Sequence, residues 1–169
     1  MVEMELLAVQ VEMPSNSPVM LLRETTGPGR VLPVVIDTPE AQAIYRGIER
    51  IRMARPLTHD LMASLLGELG AEVTKVTVTE LRDRTFFAEI ELEVAGETKV
   101  VSARPSDAVA LAVRTGARIF AAEEVIAEAG QLLDAAEEAE DGGSDEDPSE
   151  LLDEFKEFLD GVSPDDFSA

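Results

Sequence analysis

Alternating apolar and polar residues predict several β-strands within residues 1–130 of the chain. The clearest is 85–94, where every second residue is apolar and Glu89, Glu91 and Glu93 lie on the opposite face. Further strands are predicted at 4–13, 19–25, 30–36, 73–81, 98–103 and 118–122. Pro33 has no N–H to donate to a strand ladder, so 30–36 is predicted to be an edge strand or to contain a bulge.

Apolar residues at a spacing of three to four predict helices between these strands. The first begins at Thr38-Pro39-Glu40, which places a hydroxyl cap, a proline and an acid at a helix start. Its predicted buried stripe is Ile44, Ile48 and Ile51, and the second helix, about 59–69, carries Leu61, Met62, Leu65, Leu66 and Leu69 on one side. Two shorter helices are predicted at 107–115 and 123–130.

The order of these elements predicts the fold class. Three strands, two helices, three strands, a helix, a strand and a helix are typical of an α+β fold. Strands joined by short turns pair antiparallel, so we expect a largely antiparallel sheet packed with helices. We expect one compact domain over residues 1–130, followed by an acidic tail.

Residues 131–169 differ from the rest of the chain in charge. They hold 15 acidic residues against one basic residue, a net charge of −14, whereas residues 1–130 hold 20 against 13, a net charge of −7. Like charges with glycine and serine predict a disordered acidic linker at 131–148. At 149–169 apolar residues recur at helical spacing and predict a short amphipathic helix, either weakly formed or a docking peptide for a partner or for the protein's own body.

Composition narrows the class of protein. The chain has no cysteine, which excludes disulfides, thiolate metal sites and a cysteine nucleophile. No apolar run approaches the roughly 18 residues of a membrane span, and the first residues lack the features of a signal peptide. We therefore expect a cytoplasmic protein without membrane contact.

One phrase occurs twice, as RPLTHDL at 55–61 and as RPSDAVAL at 104–111. The simplest interpretation is two helix starts, in which Thr58 and Ser106 are the cap residues. Asp60 and Asp107 then lie in the first turns, where a carboxylate meets the positive end of the helix dipole. This explains the proline, the hydroxyl and the acid in both copies.

Capping leaves Arg55, Arg104 and His59 unexplained. His59 is the only histidine of the chain, so it is the one imidazole available for acid–base chemistry, although a lone histidine is more often structural. The arginines can hold phosphate, and the carboxylates of Glu40, Asp60 and Asp107 suit Mg²⁺ or Mn²⁺. Spacing alone does not decide whether these residues meet in space.

A basic helix face is the other candidate for phosphate contact. Arg46 and Arg50 lie one turn apart within 44–55, which also contains Arg52 and Arg55. Such a face can follow a phosphate backbone, but a charged helix face is more often simply solvated. The chain has no nucleotide-binding glycine loop, paired-histidine zinc motif or serine nucleophile turn, and we expect no organic cofactor.

Four collinear blocks resemble the bifunctional nuclease domain family of bacteria and plants over roughly residues 3–130. They are LPVVIDTPEAQAI (32–44), RPLTHDL (55–61), LRDRTFFAEI (81–90) and SARPSDAVALAVRTGARIF (102–120). The residues that match the blocks are Glu40, Arg55, Pro56, Thr58, His59, Asp60, Phe86, Arg104, Pro105, Ser106 and Asp107. The chain departs at Asp37, where the family usually has glycine, and at Arg118, where it usually has proline.

The resemblance implies a compact α+β domain, a homodimer and activity on DNA and RNA, without supplying a mechanism. The leading hypothesis is a nuclease, a hydrolase of phosphodiester bonds, assisted by Mg²⁺ or Mn²⁺. Asp60, Asp107 and Glu40 would hold the metal, His59 would act as base or orient water, and Arg55 and Arg104 would hold phosphate.

Two other hypotheses give the acidic tail a function. In one, the protein is a non-enzymatic regulatory dimer whose tail contacts a protein partner. In the other, the tail mimics nucleic acid and occupies the arginine face.

Overall fold

A computed structural model describes residues 1–12 and 16–132, and within them seven strands and four helices follow one another in the predicted order. They are β1 (Val2–Glu12), β2 (Ser17–Glu24), β3 (Val31–Val35), α1 (Thr38–Ile48), α2 (Thr58–Glu68), β4 (Ala71–Arg82), β5 (Thr85–Val94), β6 (Glu97–Ala103), α3 (Pro105–Thr115), β7 (Arg118–Ala121) and α4 (Glu123–Ala129). Each observed element overlaps a predicted one, and the α+β class is confirmed.

The described residues belong to one compact unit that ends at Leu132. The predicted acidic linker lies outside the described residues except for Gln131 and Leu132, and the predicted helix at 149–169 lies outside them entirely. Gln131 is tied to the sheet, because its N–H and C=O bond to the backbone of Val31 at 2.8 and 2.7 Å. No helix in the described ranges has the length and apolar character of a membrane span.

The strands form one sheet in the order β3-β2-β1-β7-β4-β5-β6. Neighbours pair antiparallel except β7 and β4, which run parallel. The parallel pair follows from the path of the chain, since α3 carries it from the β6 edge back to the middle of the sheet. Pro33 lies in the edge strand β3, as its missing N–H requires.

The third helix is the most buried element outside the sheet. Seven of its 11 residues are buried, namely Pro105, Ser106, Ala108, Val109, Ala110, Leu111 and Ala112. It packs against α1, α2, β4 and β5. Three alanines within this set keep the helix narrow, so that its neighbours can approach closely.

The predicted apolar stripes of α1 and α2 are only partly buried. In α1, Ile44 is buried, but Ile48 is exposed at the end of the helix, and Ile51 lies in the connection 49–56, which is exposed throughout. None of the residues of α2 is buried. Of the apolar side chains predicted to lie on one side of this helix, four are exposed, namely Leu61, Met62, Leu65 and Leu69.

The predicted caps at Thr58 and Ser106 are also wrong. The cap residues are Leu57 for α2 and Arg104 for α3, and neither makes a side-chain cap hydrogen bond. Pro105 itself takes the first helical position, where its fixed φ is suitable and its missing N–H costs nothing, so Ser106 falls inside the first turn. The two phrases therefore start helices, as predicted, but not through their hydroxyl groups.

Gly47 marks a close approach of α1 to α3. A Cβ atom at this position would lie 2.5 Å from Cγ2 of Val113 and 2.6 Å from Nη1 of Arg114. The β-branched side chain of Val113 has little freedom to rotate away inside a helix. Any larger residue at Gly47 must therefore push the two helices apart.

We expect Gly47→Ala to lower the free energy of unfolding by about 1–3 kcal/mol, because the added methyl group overpacks the α1–α3 contact. Gly67→Ala in α2 is the matched control, since nothing lies within 4 Å of a Cβ atom there. In that open position alanine should stabilise the helix by up to about 1 kcal/mol. Denaturant unfolding measures both, and effects of the same sign would contradict this account.

Glu24 is a buried acid that ties the sheet to α4. Its side chain is 2% exposed, and it accepts hydrogen bonds from Nη2 of Arg30 at 2.6 Å and from the backbone N–H of Arg30 at 2.8 Å. Arg30 also contacts Glu123 at the start of α4 at 2.9 Å. The hydrogen bonds from Arg30 hold the pKa of Glu24 below its ordinary value, although burial alone would raise it.

Low pH is expected to destabilise the fold because it protonates Glu24. The pKa of Glu24 is lower in the folded chain than in the unfolded chain, where it is about 4.3. The ionised carboxylate therefore stabilises the fold above that pH, and this stabilisation is lost as the pH falls below it. Glu24→Gln should flatten this part of a plot of melting temperature against pH. Glu5→Gln, in an exposed pair with Arg23, should leave the plot close to wild type; parallel plots for Glu24→Gln and wild type would refute the assignment.

Candidate active site

The first turns of three helices meet beside α3, which packs against both α1 and α2. Glu40 lies in the first turn of α1, His59 in that of α2 and Asp107 in that of α3, and Arg104 directly precedes α3. Two ion pairs and a hydrogen bond to His59 join these four residues in space. We call them the helix-start cluster.

Asp107 is the centre of the cluster. Its Oδ1 lies 3.1 Å from Nε2 of His59, and its Oδ2 accepts a hydrogen bond from Nε of Arg104 at 2.7 Å. A second bond runs from Nη2 of Arg104 to Oδ1 at 3.1 Å. The two bonds from one guanidinium fix the carboxylate plane, so Asp107 orients functional groups from two parts of the chain.

The charge of Asp107 sets the tautomer of His59. Burial raises the pKa of Asp107, but hydrogen bonds from Arg104 and His59 outweigh burial, and the pKa lies below its ordinary value. An ionised carboxylate only accepts hydrogen bonds, so His59 must carry a proton on Nε2. In the neutral ring Nδ1 then has the free lone pair, which makes it the atom that can accept a proton.

Glu40 is joined to the rest of the cluster by Arg104. Its Oε1 lies 2.9 Å from Nη2 of Arg104, and its side chain is 13% exposed. The other oxygen, Oε2, is buried and has no hydrogen-bond partner among the described residues. A buried carboxylate oxygen without a donor is costly.

Asp60, predicted to be catalytic and a metal ligand, forms a separate pair. Its Oδ1 accepts from Nε of Arg114 at 2.6 Å, and its Oδ2 accepts from the N–H of Leu57 at 3.0 Å. The hydrogen bond from Arg114 is the main reason why the pKa of Asp60 lies below its ordinary value. The pair fixes the start of α2 to α3, and with it the position of His59.

Sequence reasoning missed Arg114. Its side chain is 9% exposed, and it also donates to the C=O of Ala110 at 2.8 Å. Its spacing could have indicated it, because Arg114 follows Asp107 by seven residues. That is about two helical turns, so the two residues lie on the same face of α3. Spacing within α3 could not show that α2 would bring Asp60 to that face.

The carboxylates predicted to bind a divalent cation do not form one ligand set. Glu40 and Asp107 flank the guanidinium of Arg104, whereas Asp60 is held by Arg114. Within residues 1–12 and 16–132, no three His, Cys, Asp or Glu side chains are grouped to hold a metal ion. This arrangement does not fit a ready-made Mg²⁺ or Mn²⁺ site, which needs carboxylate oxygens free to coordinate the ion.

The other predicted phosphate-binding arginines lie outside the cluster. Arg46 is in the last turn of α1, and Arg50 and Arg55 are exposed in the connection between α1 and α2. None of the three takes part in the ion pairs found in the described part of the chain. The acids described here therefore do not neutralise their charges.

Neither departure from the family pattern takes part in the pairs that join the helix-start cluster. Asp37 is the cap residue of α1, which corrects the predicted cap at Thr38, and its exposed side chain makes no cap hydrogen bond. Arg118 begins β7 and donates to the carboxylate of Glu3 at 2.8 and 2.9 Å. Its guanidinium also lies 5.0 Å from the ring centre of Phe120, so Arg118 braces β7 against β1.

We expect nitrogen-15 NMR to find the Nε2–H tautomer in neutral His59, because Asp107 accepts from that atom. With one histidine in the chain, the signal needs no assignment. Asp107→Ala should give a mixture of tautomers, and Glu5→Gln is a control far from the ring. A spectrum unchanged by Asp107→Ala would rule out the hydrogen bond.

Comparison with known proteins gives one family. The model of the bifunctional nuclease domain matches residues 20–134. Two proteins of Mycobacterium tuberculosis, the uncharacterized proteins MT1877 and Rv1829 from different strains, are each 41% identical over 167 residues, covering 99% of this chain and 98% of the relative.

Two plant proteins are more distant. Bifunctional nuclease 1 of Arabidopsis thaliana is 28% identical over 100 residues, and bifunctional nuclease 2 is 30% identical over 98 residues. These matches cover 57% and 56% of this chain and 31% and 30% of the plant proteins. The match of the family model includes every residue of the helix-start cluster, and the chain belongs to the bifunctional nuclease domain family.

Proposed function

We propose that this protein is a nuclease that hydrolyses phosphodiester bonds in DNA and RNA at the helix-start cluster. One observation carries the proposal: a proton acceptor, its orienting carboxylate and an exposed guanidinium meet at three helix starts. Family membership supports the same activity, since the plant relatives are named as nucleases. The assignment of the individual roles is our own.

His59 is the proposed general base. Asp107 holds the ring by Nε2, so Nδ1 can take a proton from a water molecule that attacks phosphorus. A bond then forms between the water oxygen and phosphorus, and the bond from phosphorus to the leaving oxygen breaks. That oxygen takes up a proton, which His59 can return, so protons and charge balance.

Arg104 is the proposed phosphate ligand at the cluster. Its side chain is 61% exposed, and its contacts with Asp107 and Glu40 use Nε and Nη2. Nη1 takes part in no hydrogen bond among residues 1–12 and 16–132 and can donate to a phosphate oxygen. Arg46, Arg50 and Arg55 are proposed to bind further phosphates along the strand.

The assistance of the reaction by a divalent cation remains a prediction. The cluster carries two carboxylates against one guanidinium, so a phosphate would meet net negative charge when His59 is neutral. Mg²⁺ or Mn²⁺ would offset that charge, but no described ligand set fits either ion. Asp60 is proposed as a positioning residue for His59, because both of its oxygens are already bonded.

One observation favours a second candidate, a non-enzymatic regulatory protein. Residues 1–130 hold 20 acidic residues against 13 basic ones, whereas nucleic-acid-binding proteins usually carry a basic surface. In that function the acidic tail would contact a protein partner. A homodimer, which the family resemblance implies, and a cytoplasmic location, which the sequence predicts, belong to either proposal.

The deciding experiment is cleavage of single-stranded DNA, RNA and duplex DNA by the purified full chain. We expect His59→Ala and Asp107→Ala each to lower the cleavage rate at least about 100-fold, the usual contribution of a positioned base. Arg23→Gln, in an exposed pair on β2, is the control prepared in the same way. Circular dichroism should show that all variants are folded.

Each other result has a definite meaning. Equal cleavage by wild type, His59→Ala and Asp107→Ala would place the activity elsewhere or in a contaminant. Absence of cleavage with Mg²⁺, with Mn²⁺ and with EDTA would favour the regulatory protein. Activity that persists in EDTA but depends on His59 would keep the nuclease and reject the cation.

A further inference from the structure

Two hairpins of the sheet turn in the same way but differ at one position. Asp83 and Arg84 join β4 to β5, whereas Ala95 and Gly96 join β5 to β6. All four residues have a positive φ, between 50° and 81°, as both central residues of a type I′ turn must. The second position of such a turn is the usual place of glycine, and the β4–β5 hairpin has Arg84 there instead.

Turn chemistry explains the aspartate of this hairpin but not the arginine. Asp83 occupies the first position, where aspartate is common because its short side chain tolerates the left-handed region. Arg84 adopts a φ of 62°, and a long side chain with a Cβ atom is strained in that region. Because glycine would remove the strain, the choice of arginine points to a function of its side chain.

A second arginine occupies a left-handed position of the kind that glycine usually fills. Arg50 follows the C-cap residue of α1 with a φ of 51°. The N–H groups of Arg50 and Ile51 bond back to the C=O groups of Gly47 and Arg46 at 3.3 and 3.1 Å, which is a Schellman motif. Helix α3, by contrast, ends at Gly116 with a φ of 77°. Arg50 is already a proposed phosphate ligand, and Arg84 shares its strain.

Neither strained arginine is neutralised by the acids that surround it in the described part of the chain. Both are exposed, and neither takes part in an ion pair between described residues. Arg82, on the same hairpin, differs: its guanidinium lies 4.6 Å from the ring centre of Phe87, and its Nη1 lies 3.8 Å from Oε1 of Glu80. Arg84 is therefore the arginine of this hairpin whose charge is available to a ligand.

The β4–β5 turn lies at the same end of the sheet as the helix-start cluster. Ala103 ends β6 and pairs with Ala88 of β5, and Arg104 follows directly. Arg84 precedes Ala88 by four residues, so at about 3.3 Å per residue it lies within roughly 13 Å of the point where the chain leaves the sheet for α3. The β5–β6 turn lies at the opposite end of β5, about 30 Å away.

We propose that Arg84 binds a phosphate group of the nucleic-acid strand that is cleaved at the helix-start cluster. The inference rests on the proposed nuclease function and adds a contact to it. A guanidinium binds phosphate through paired N–H donors. Gly47, just before Arg50, lies beside the last turn of α3, so Arg50 and Arg84 lie toward opposite ends of that helix. The bound strand then runs from Arg50 past the cluster to Arg84.

Replacing Arg84 by glycine should change stability and binding in opposite directions. Arg84→Gly should raise the melting temperature by about 2–5 °C, because glycine relieves the left-handed strain. It should weaken binding of single-stranded DNA roughly fivefold near 0.1 M salt, and lower the slope of log affinity against log salt by about 0.7, the value for one lost phosphate contact. Fluorescence anisotropy measures the binding, with His59→Ala present in every protein so that the DNA stays intact.

Ala95→Gly is the matched control. It relieves left-handed strain in the other type I′ turn, so it should raise the melting temperature by a similar amount and leave DNA binding and its salt slope unchanged. Arg84→Lys keeps the charge and should retain most of the salt slope. Arg84→Asn tolerates the left-handed backbone but has no charge, so its binding should resemble that of Arg84→Gly.

Each other result decides the question. An unchanged affinity and salt slope in Arg84→Gly would overturn the inference and leave the nuclease proposal intact. Equal weakening by Ala95→Gly would also overturn it, because that turn is far from the cluster. A lower melting temperature in Arg84→Gly would remove the strain on which the assignment stands. If the parent protein binds neither DNA nor RNA, the inference fails, and cleavage by the chain with His59 intact decides the proposed function separately.

Discussion

The carboxylate of Asp107 is the contact on which the arrangement of the helices and the site depends. It binds the ring of His59 from α2 and the guanidinium of Arg104, which in turn reaches Glu40 of α1. Taking a carboxylate out of water is costly unless donors surround it. Here the donors come from two separate phrases of the sequence, so the charge is satisfied only when α2 has docked against α3.

The third helix gives this contact a fixed frame. It is buried along most of its length, and it is approached by Gly47 of α1 and by the Asp60–Arg114 pair of α2. The charged residues at its start are held by a rigid helix rather than by a loop. Sites placed on rigid elements keep the geometry that proton transfer needs.

The two sides of α2 have different surroundings. The inner side carries His59 and Asp60 to α3, while the outer side carries the exposed leucines.

The sequence by itself determined the order of the elements, the α+β class, the edge position of Pro33 and the helix starts at both Arg-Pro phrases, because periodicity, proline and first-turn acids act locally. It also identified Glu40, His59, Arg104 and Asp107 as candidate site residues, without showing that they lie close together. Only the tertiary structure decided that Asp107 joins them, that Asp60 pairs with Arg114, and that the leucines of α2 face outward. The reason is physical: helical spacing defines which residues share a face, but the packing of one helix against another decides which face is buried and which charges are close enough to pair.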